Sequence, residues 1–300
     1  MWWSRLLTEG FPGEIRKATP CQHKPRSDRL APTKTWAAIE LDQSLTKLPL
    51  LPGEGSAEKG QADSSVQSLV GIDLWLLDLK KAHRHLPHYQ KLLDAEELRR
   101  SERYTAEHAR STFILTRGRL RELLARYLDQ DPQQLILTTN EHGKPRLADT
   151  EENEGRVFSI AHSGDYALLA FGRDIALGVD IEQIRERKSL DSLAKHCLTP
   201  PEWERWKYLP AEQKNDDFIR YWVCKEAFVK ATGRGLGLGV NQVGVSADFR
   251  GFDFIPEVYG LNRAWQLSAC KLGKHWYSLV RANSICHLYD LTRNNFTNRA

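Results

Sequence analysis

The stretch Trp222-Val223-Cys224-Lys225-Glu226-Ala227-Phe228-Val229-Lys230-Ala231-Thr232-Gly233 sets an aromatic ring, a carboxylate and an ammonium at successive four-residue steps. On a helix, Trp222, Glu226 and Lys230 share one face. Upstream, Gly178-Val179-Asp180-Ile181-Glu182 reads as an apolar strand ending in two carboxylates with one residue between them, which puts both on the same side of a sheet. Three acids from two segments can converge on one hard cation such as magnesium, whose other ligands are usually water and substrate phosphate. Phosphoryl chemistry is therefore the first expectation. Each piece alone has a plainer reading. Glu226 and Lys230 stand in the favourable order for a surface ion pair, Trp222 suits a core, and Asp180 with Glu182 suits a solvated strand end. Their co-occurrence, in order, changes the weighing.

Working outward, the chain carries Gly143-Lys144-Pro145, then Phe158-Ser159-Ile160-Ala161-His162-Ser163-Gly164, then the two segments above. This succession resembles the 4′-phosphopantetheinyl transferases of the surfactin-synthetase-activating type, over residues 70 to 290. The resemblance implies two similar α/β lobes related by a pseudo-two-fold, with the active site in the cleft between them. It implies coenzyme A as co-substrate and Mg2+ as cofactor. A serine of an apo carrier protein (acyl, polyketide or peptidyl) attacks the β-phosphorus and releases adenosine 3′,5′-bisphosphate. On this resemblance Asp180, Glu182 and Glu226 are the metal ligands, and Lys230 reaches the α-phosphate. Glu226, directly or through a water, is also the candidate general base, a role in tension with metal binding because a metal-bound carboxylate is a weaker base. His162 and Ser163 lie against the 3′-phosphate, Lys144 and Pro145 on the adenine side, and Arg100 is a phosphate-binding base on the first charged helix. A solvated helix face is the equal alternative for Arg100. Relatives commonly carry asparagine and serine where this chain has Ser159 and Ala161, a departure that bears on how His162 is positioned.

Composition agrees with these expectations without requiring them. The chain has 300 residues, 41% of them hydrophobic, and a net charge of +4, enough for a filled core and too little to argue for nucleic acid. Five cysteines, Cys21, Cys197, Cys224, Cys270 and Cys286, are odd in number and unpaired by spacing, which suits a reducing cytoplasm. No apolar run reaches membrane-spanning length, and the start is broken by charge too early for a secretory leader. The partners expected are coenzyme A and carrier proteins, with no nucleic acid and no membrane, for a monomeric protein.

The texture changes near residue 69. Residues 1–69 mix proline, glycine, serine and scattered charge without a sustained period, and read as a disordered extension. The single methionine means that a shorter product would begin at another codon, with Val66 or Val70 at the right place. Residues 70–172 read as an N-terminal lobe, 173–290 as a C-terminal lobe with the metal site, and 291–300 as a tail. Mixed strands and helices without βα alternation give an α+β class. Strands are expected at 70–79, 135–138, 157–162, 166–171, 175–181, 264–272 and 275–282, with 166–171 and 175–181 as a hairpin. Helices are expected at 94–105, 110–128, 190–195, 201–209 and 216–232. In the second helix Phe113, Leu120, Leu124 and Leu128 form the buried side, and Arg110, Arg117 and Arg121 are placed on the surface. The arginines of 99–126 are the expected docking face for an acidic carrier helix. No internal repeat is legible.

Three features carry no function on this reading. His83-Arg84-His85-Leu86-Pro87-His88 is interrupted by proline and lacks partners at zinc spacing. Gly233 to Gly239 follows a helix and reads as its C-cap. Cys224 has no supporting His/Asn pattern. Two rival classes remain: another magnesium-dependent enzyme that cleaves a nucleotide pyrophosphate, and a non-catalytic carrier-binding module, of which a lost carboxylate would be the signature.

Overall fold

The structure, a computed structural model, describes residues 43–48, 72–150, 153, 155–235 and 239–283. The first half comprises β1 (Leu45–Leu48), β2 (Asp73–Asp78), α1 (Leu79–Ala82), α2 (Leu86–Leu92), α3 (Ala95–Glu102), α4 (Glu107–Leu128), β3 (Leu137–Thr139), β4 (Pro145–Leu147), β5 (Arg156–Ser163) and β6 (Tyr166–Arg173). The second comprises β7 (Ile175–Gln183), α5 (Leu190–Cys197), α6 (Pro200–Trp206), α7 (Ala211–Thr232), β8 (Gly244–Val245), β9 (Phe252–Phe254), β10 (Trp265–Leu272) and β11 (His275–Asn283). Two antiparallel sheets result, ordered β1-β2-β6-β5 and β10-β11-β7.

The halves repeat one plan. Each begins with a strand, passes through short helices to a 22-residue helix, makes a small two-stranded ribbon, and ends in a hairpin. The second strand of each hairpin then pairs with the strand that precedes the helices, β6 with β2 and β11 with β7, while β1 is an addition to the first half. The repeat extends to side chains. Asp94 and Thr199 each cap a helix with a reciprocal glutamate, Glu97 and Glu202. Each glutamate is gripped by a buried base at the same position along the long helix: Arg121 on Glu97 at 2.6 Å, and Lys225 on Glu202 at 2.6 Å. Arg121 also meets Asp94 at 2.5 Å and the carbonyls of Pro132 and Leu135, while Lys225 meets those of Cys197 and Val240. A repeat is thus present that no residue identity made visible. Arg117 and Arg121 are buried, not on the surface as expected, because the capping box of α3 supplies the carboxylates that neutralise them.

β6 and β7 do not form the expected hairpin. Their ladders run to different partners, β6 to β2 and β5, and β7 to β11. The turn at Asp174, with φ 53, passes the chain from one sheet to the other. Leu74, Leu76, Leu168 and Ala170 from the first sheet instead pack with Leu177, Val179 and Ile181 from the second. β2 is consequently buried on both faces, since Trp75 and Leu77 enter the α4 core with Phe113, Leu120 and Phe171. Where the sheet edges meet, the Ser159 and Ser163 hydroxyls accept hydrogen bonds from the backbone N–H groups of Val179 (3.0 Å) and Gln183 (3.1 Å).

Residues 1–69 are not all extension. Leu45–Leu48 pairs antiparallel with β2, Leu45 is buried, and Lys47 meets Asp73 at 2.5 Å. Four residues, Leu-Thr-Lys-Leu, do not alternate and are too short to register as a period in a Pro/Gly-rich context. Val66, Val70 and the 291–300 tail lie outside the described residues.

On β7 the side chains divide by parity. Leu177, Val179 and Ile181 face the other sheet, so Gly178, Asp180 and Glu182 lie on the opposite face, where α7 crosses. A Cβ at Gly178 would stand 2.0 Å from the Ala227 carbonyl oxygen and 2.4 Å from the Ala231 nitrogen, so only glycine permits this approach. Gly178→Ala forces the helix away from the strand; a cost on the order of 3 kcal/mol is expected in urea unfolding, and an unchanged midpoint would show that α7 does not bear on β7 there. Lys225→Met leaves Glu202 buried without its cation, at an expected cost of about 3 kcal/mol, whereas a loss under about 0.5 kcal/mol would reduce the pair to a passenger.

Candidate active site

Asp180 and Glu182 sit on β7 as predicted, and Glu226 and Lys230 project from α7 towards them. All three carboxylates are more than nine-tenths buried, at 7%, 8% and 7% exposure. The Lys230 ammonium donates to Asp180 Oδ1 at 2.7 Å. Glu182 Oε1 accepts from Arg187 Nη2 at 3.0 Å and from Arg185 Nη2 at 3.5 Å. Glu226 Oε1 is buried without a hydrogen-bond partner.

Burial and mutual repulsion hold the acids in an unusual state. Burial raises the pKa of Asp180 against the opposing pull of Lys230. Burial and then the Asp180 charge raise Glu182, with Arg187 and the Ser163 hydroxyl opposing. Glu226 is pushed up to about 7 by burial and by Asp180, with Glu182 adding to the rise. Each carboxylate therefore feels another. The donor set consists of hard oxygens, and one of them is buried and unpartnered, which fits a magnesium ion. A finished three-ligand cage is not present: among the described residues no group of three or more His, Cys, Asp or Glu side chains has metal-binding spacing. Lys230 takes one oxygen of Asp180 and the two arginines take one of Glu182.

The remaining predicted residues divide. Lys144 leaves the β3–β4 turn and donates from Nζ to the Leu177 carbonyl at 2.9 Å, on β7. Burial and then the Lys230 charge bring its pKa down to about 8. Pro145 opens β4 opposite Thr139. Burial lowers His162 to about 4, with Lys230 and His108 adding to the shift. Lys144, His162 and Lys230 thus share one electrostatic neighbourhood. Ser163 is committed elsewhere, accepting from Gln183 and donating towards Glu182. Arg100 stands apart on exposed α3, its guanidinium over the Phe113 ring at 5.5 Å. Trp222 is buried beside Phe218 and packs the helix. Burial raises the Cys224 thiol, against nucleophilic use. Gly233, at φ 71, caps α7 as expected.

Sequence reasoning missed Arg185 and Arg187, the bases that follow Glu182 out of the strand. The signal was their closeness to the acidic strand end. It also missed the bond from Glu202 to Lys225, although Thr199-x-x-Glu202 is a readable capping box.

Comparisons with known proteins identify the family. Residues 176–279 match the profile of the 4′-phosphopantetheinyl transferase superfamily, and residues 80–173 match that of the 4′-phosphopantetheinyl transferase N-terminal domain. A provisionally named 4′-phosphopantetheinyl transferase of Synechocystis sp. is 38% identical over 184 residues, 61% of this chain and 74% of its own. The 4′-phosphopantetheinyl transferase HetI of Nostoc sp. is 38% identical over 165 residues, 55% of this chain and 70% of its own. The transferase psf-1 of Bacillus pumilus is 28% identical over 218 residues, 67% of this chain and 88% of its own. The chain belongs to the 4′-phosphopantetheinyl transferase superfamily.

Because the folded protein holds the Glu226 proton more tightly than the unfolded chain, stability present below pH 4.5 is lost as pH climbs through about 7 in the absence of a divalent cation. Glu226→Gln removes this loss. With chelator present at pH 8, the variant is expected to melt above wild type, and at pH 4 the two should coincide. A variant melting lower at pH 8 contradicts the raised pKa.

Proposed function

We propose that this chain transfers the 4′-phosphopantetheine group of coenzyme A to a serine of an apo carrier protein, with Asp180, Glu182, Glu226 and Lys230 as its working residues. The observation that carries the proposal is the buried, unpartnered Glu226 Oε1 beside the Asp180 carboxylate that Lys230 bridges. Asp180, Glu182 and Glu226 would hold Mg2+, which when bound offsets charge on the pyrophosphate oxygens.

The protein groups account for the rest. Lys230 supplies a positive charge for the α-phosphate, where negative charge builds as the bond to the β-phosphorus breaks. The serine hydroxyl forms the new phosphoester at that phosphorus, and adenosine 3′,5′-bisphosphate departs. The serine proton needs an acceptor, which Glu226 would supply directly or through water; its pKa near 7 belongs to the cation-free site and would fall with a cation bound, making it a weaker base. Burial keeps bulk water from the reacting phosphorus and so favours the serine over hydrolysis. Lys144, with Pro145 fixing its loop, faces the adenine side, and His162 faces the 3′-phosphate. Arg100 would join a phosphate only from the rim of the amino-terminal lobe. The carrier would meet exposed bases such as Arg99, since Arg117, Arg119 and Arg121 are buried.

Among the described residues no helix is long and apolar enough to cross a membrane. We place the reaction in the cytoplasm, where buried free thiols such as Cys197 and Cys224 stay reduced.

Intact-mass analysis of apo carrier proteins incubated with coenzyme A and magnesium tests the reading. A gain of one phosphopantetheinyl group, abolished by chelator, is expected. Asp180→Ala and Glu226→Ala should each slow transfer by at least about a thousandfold. Activity retained in both would refute the metal assignment, coenzyme A cleavage without an acceptor would point to a hydrolase, and binding without transfer would point to a carrier-binding module.

A further inference from the structure

The loop that presents Lys144 is built around one side chain. Asn140 Oδ1 accepts from the N–H groups of His142 (3.0 Å) and Lys144 (2.8 Å), which folds the turn. Its backbone closes the same turn, donating to the Lys144 carbonyl at 2.9 Å and accepting from the Gly143 N–H at 2.9 Å. Asn140 Nδ2 points outward and donates to the Gly233 carbonyl at 2.7 Å. That carbonyl belongs to the C-cap of α7, three residues beyond Lys230. The contact is close on both sides: a Cβ on Gly233 would stand 3.0 Å from Asn140 Nδ2 and 3.6 Å from Lys144 Cδ.

Lys144 in turn reaches β7, where its ammonium sits on the Leu177 carbonyl. The loop thus has two anchors on the carboxyl-terminal half, one on the strand of Asp180 and one on the helix of Glu226 and Lys230. Asn140 holds the second.

We propose that Asn140 is a positioning residue for phosphopantetheinyl transfer: through its bond to the Gly233 carbonyl it latches the Lys144 loop onto the end of α7, and so sets the spacing of Lys144 and Lys230 across which coenzyme A is held. The proposal rests on the function assigned above. The chemistry explains why an amide is needed. Aspartate keeps an oxygen for the local turn but has no donor, and the single, shorter hydroxyl of serine cannot hold the turn and reach the Gly233 carbonyl together as the separate oxygen and nitrogen of the amide do. A carboxylate there would face the Gly233 oxygen and repel it.

The test separates latch from turn. In Asn140→Asp the turn survives and the latch is lost, so KM for coenzyme A should rise about tenfold with kcat and melting temperature close to wild type. Asn140→Ser, which also keeps a turn-forming oxygen, serves if the aspartate variant folds poorly and should show the same KM effect. Combined with Lys144→Ala, the Asn140→Asp change should add nothing, because both act through one contact. An aspartate variant with wild-type KM, or losses that multiply with Lys144→Ala, overturns the proposal. Calorimetric binding of coenzyme A to the full chain is measured alongside. If wild type binds but transfers nothing, and Asn140→Asp weakens that binding, the latch stands and the assigned function falls. Equal binding by both removes the latch.

Discussion

The approach of α7 to β7 at Gly178 is the constraint on which the site depends. With no side chain between them, the backbone of Ala227 and Ala231 comes down onto the strand, and this brings residues on neighbouring turns within reach of the next positions along β7. Lys230 can then touch Asp180, and Glu226 can feel its charge. Ser278 fixes the same helix from the adjoining strand, its hydroxyl donating to the Val223 carbonyl at 2.6 Å. A larger residue at 178 would lift the helix and part the acids from the ammonium.

The two halves share an architecture and differ in charge balance. Arg121-Glu122 with Arg126 on α4 occupies the place of Lys225-Glu226 with Lys230 on α7. In both, the first base is buried and structural. Glu122 is neutralised by Arg119 at 2.5 Å, while Glu226 keeps a buried oxygen without a partner. β2 offers Trp75 and Leu77 to its long helix where β7 offers Asp180 and Glu182. An unpaired buried charge costs stability, and a structure can carry that cost where a cation or a proton completes it. The carboxyl-terminal half does so, and the amino-terminal half has closed its equivalent site with arginine.

Much of the fold was readable from period and punctuation. The later part of α7 and its stop at Gly233, the strands β5, β10 and β11, and the shared face of Asp180 and Glu182 all follow from local spacing, while the first turn of α7, from Ala211, was missed. The pairing of β6 and β7 was misread because a short turn between two apolar strands looks like a hairpin whichever sheet each strand enters. Arg117 and Arg121 were misread because an arginine on an amphipathic helix looks solvated until its carboxylate is found, and Glu97 lies on another helix. The strand at Leu45–Leu48 was missed because an edge strand takes its stability from β2, not from its own four residues.

The amino-acid order alone singled out the candidate groups, since carboxylates and bases at helical and strand spacing are local facts. It also settled the family, because four ordered motifs are a property of the chain. Their electrical state belonged to the tertiary structure. That Glu226 titrates near 7, that Ser163 serves the junction of the sheets, and that Asn140 ties the Lys144 loop to α7 depend on what another segment brings within a few ångströms. Burial and pairing are relations between distant residues, and no window of sequence contains both partners.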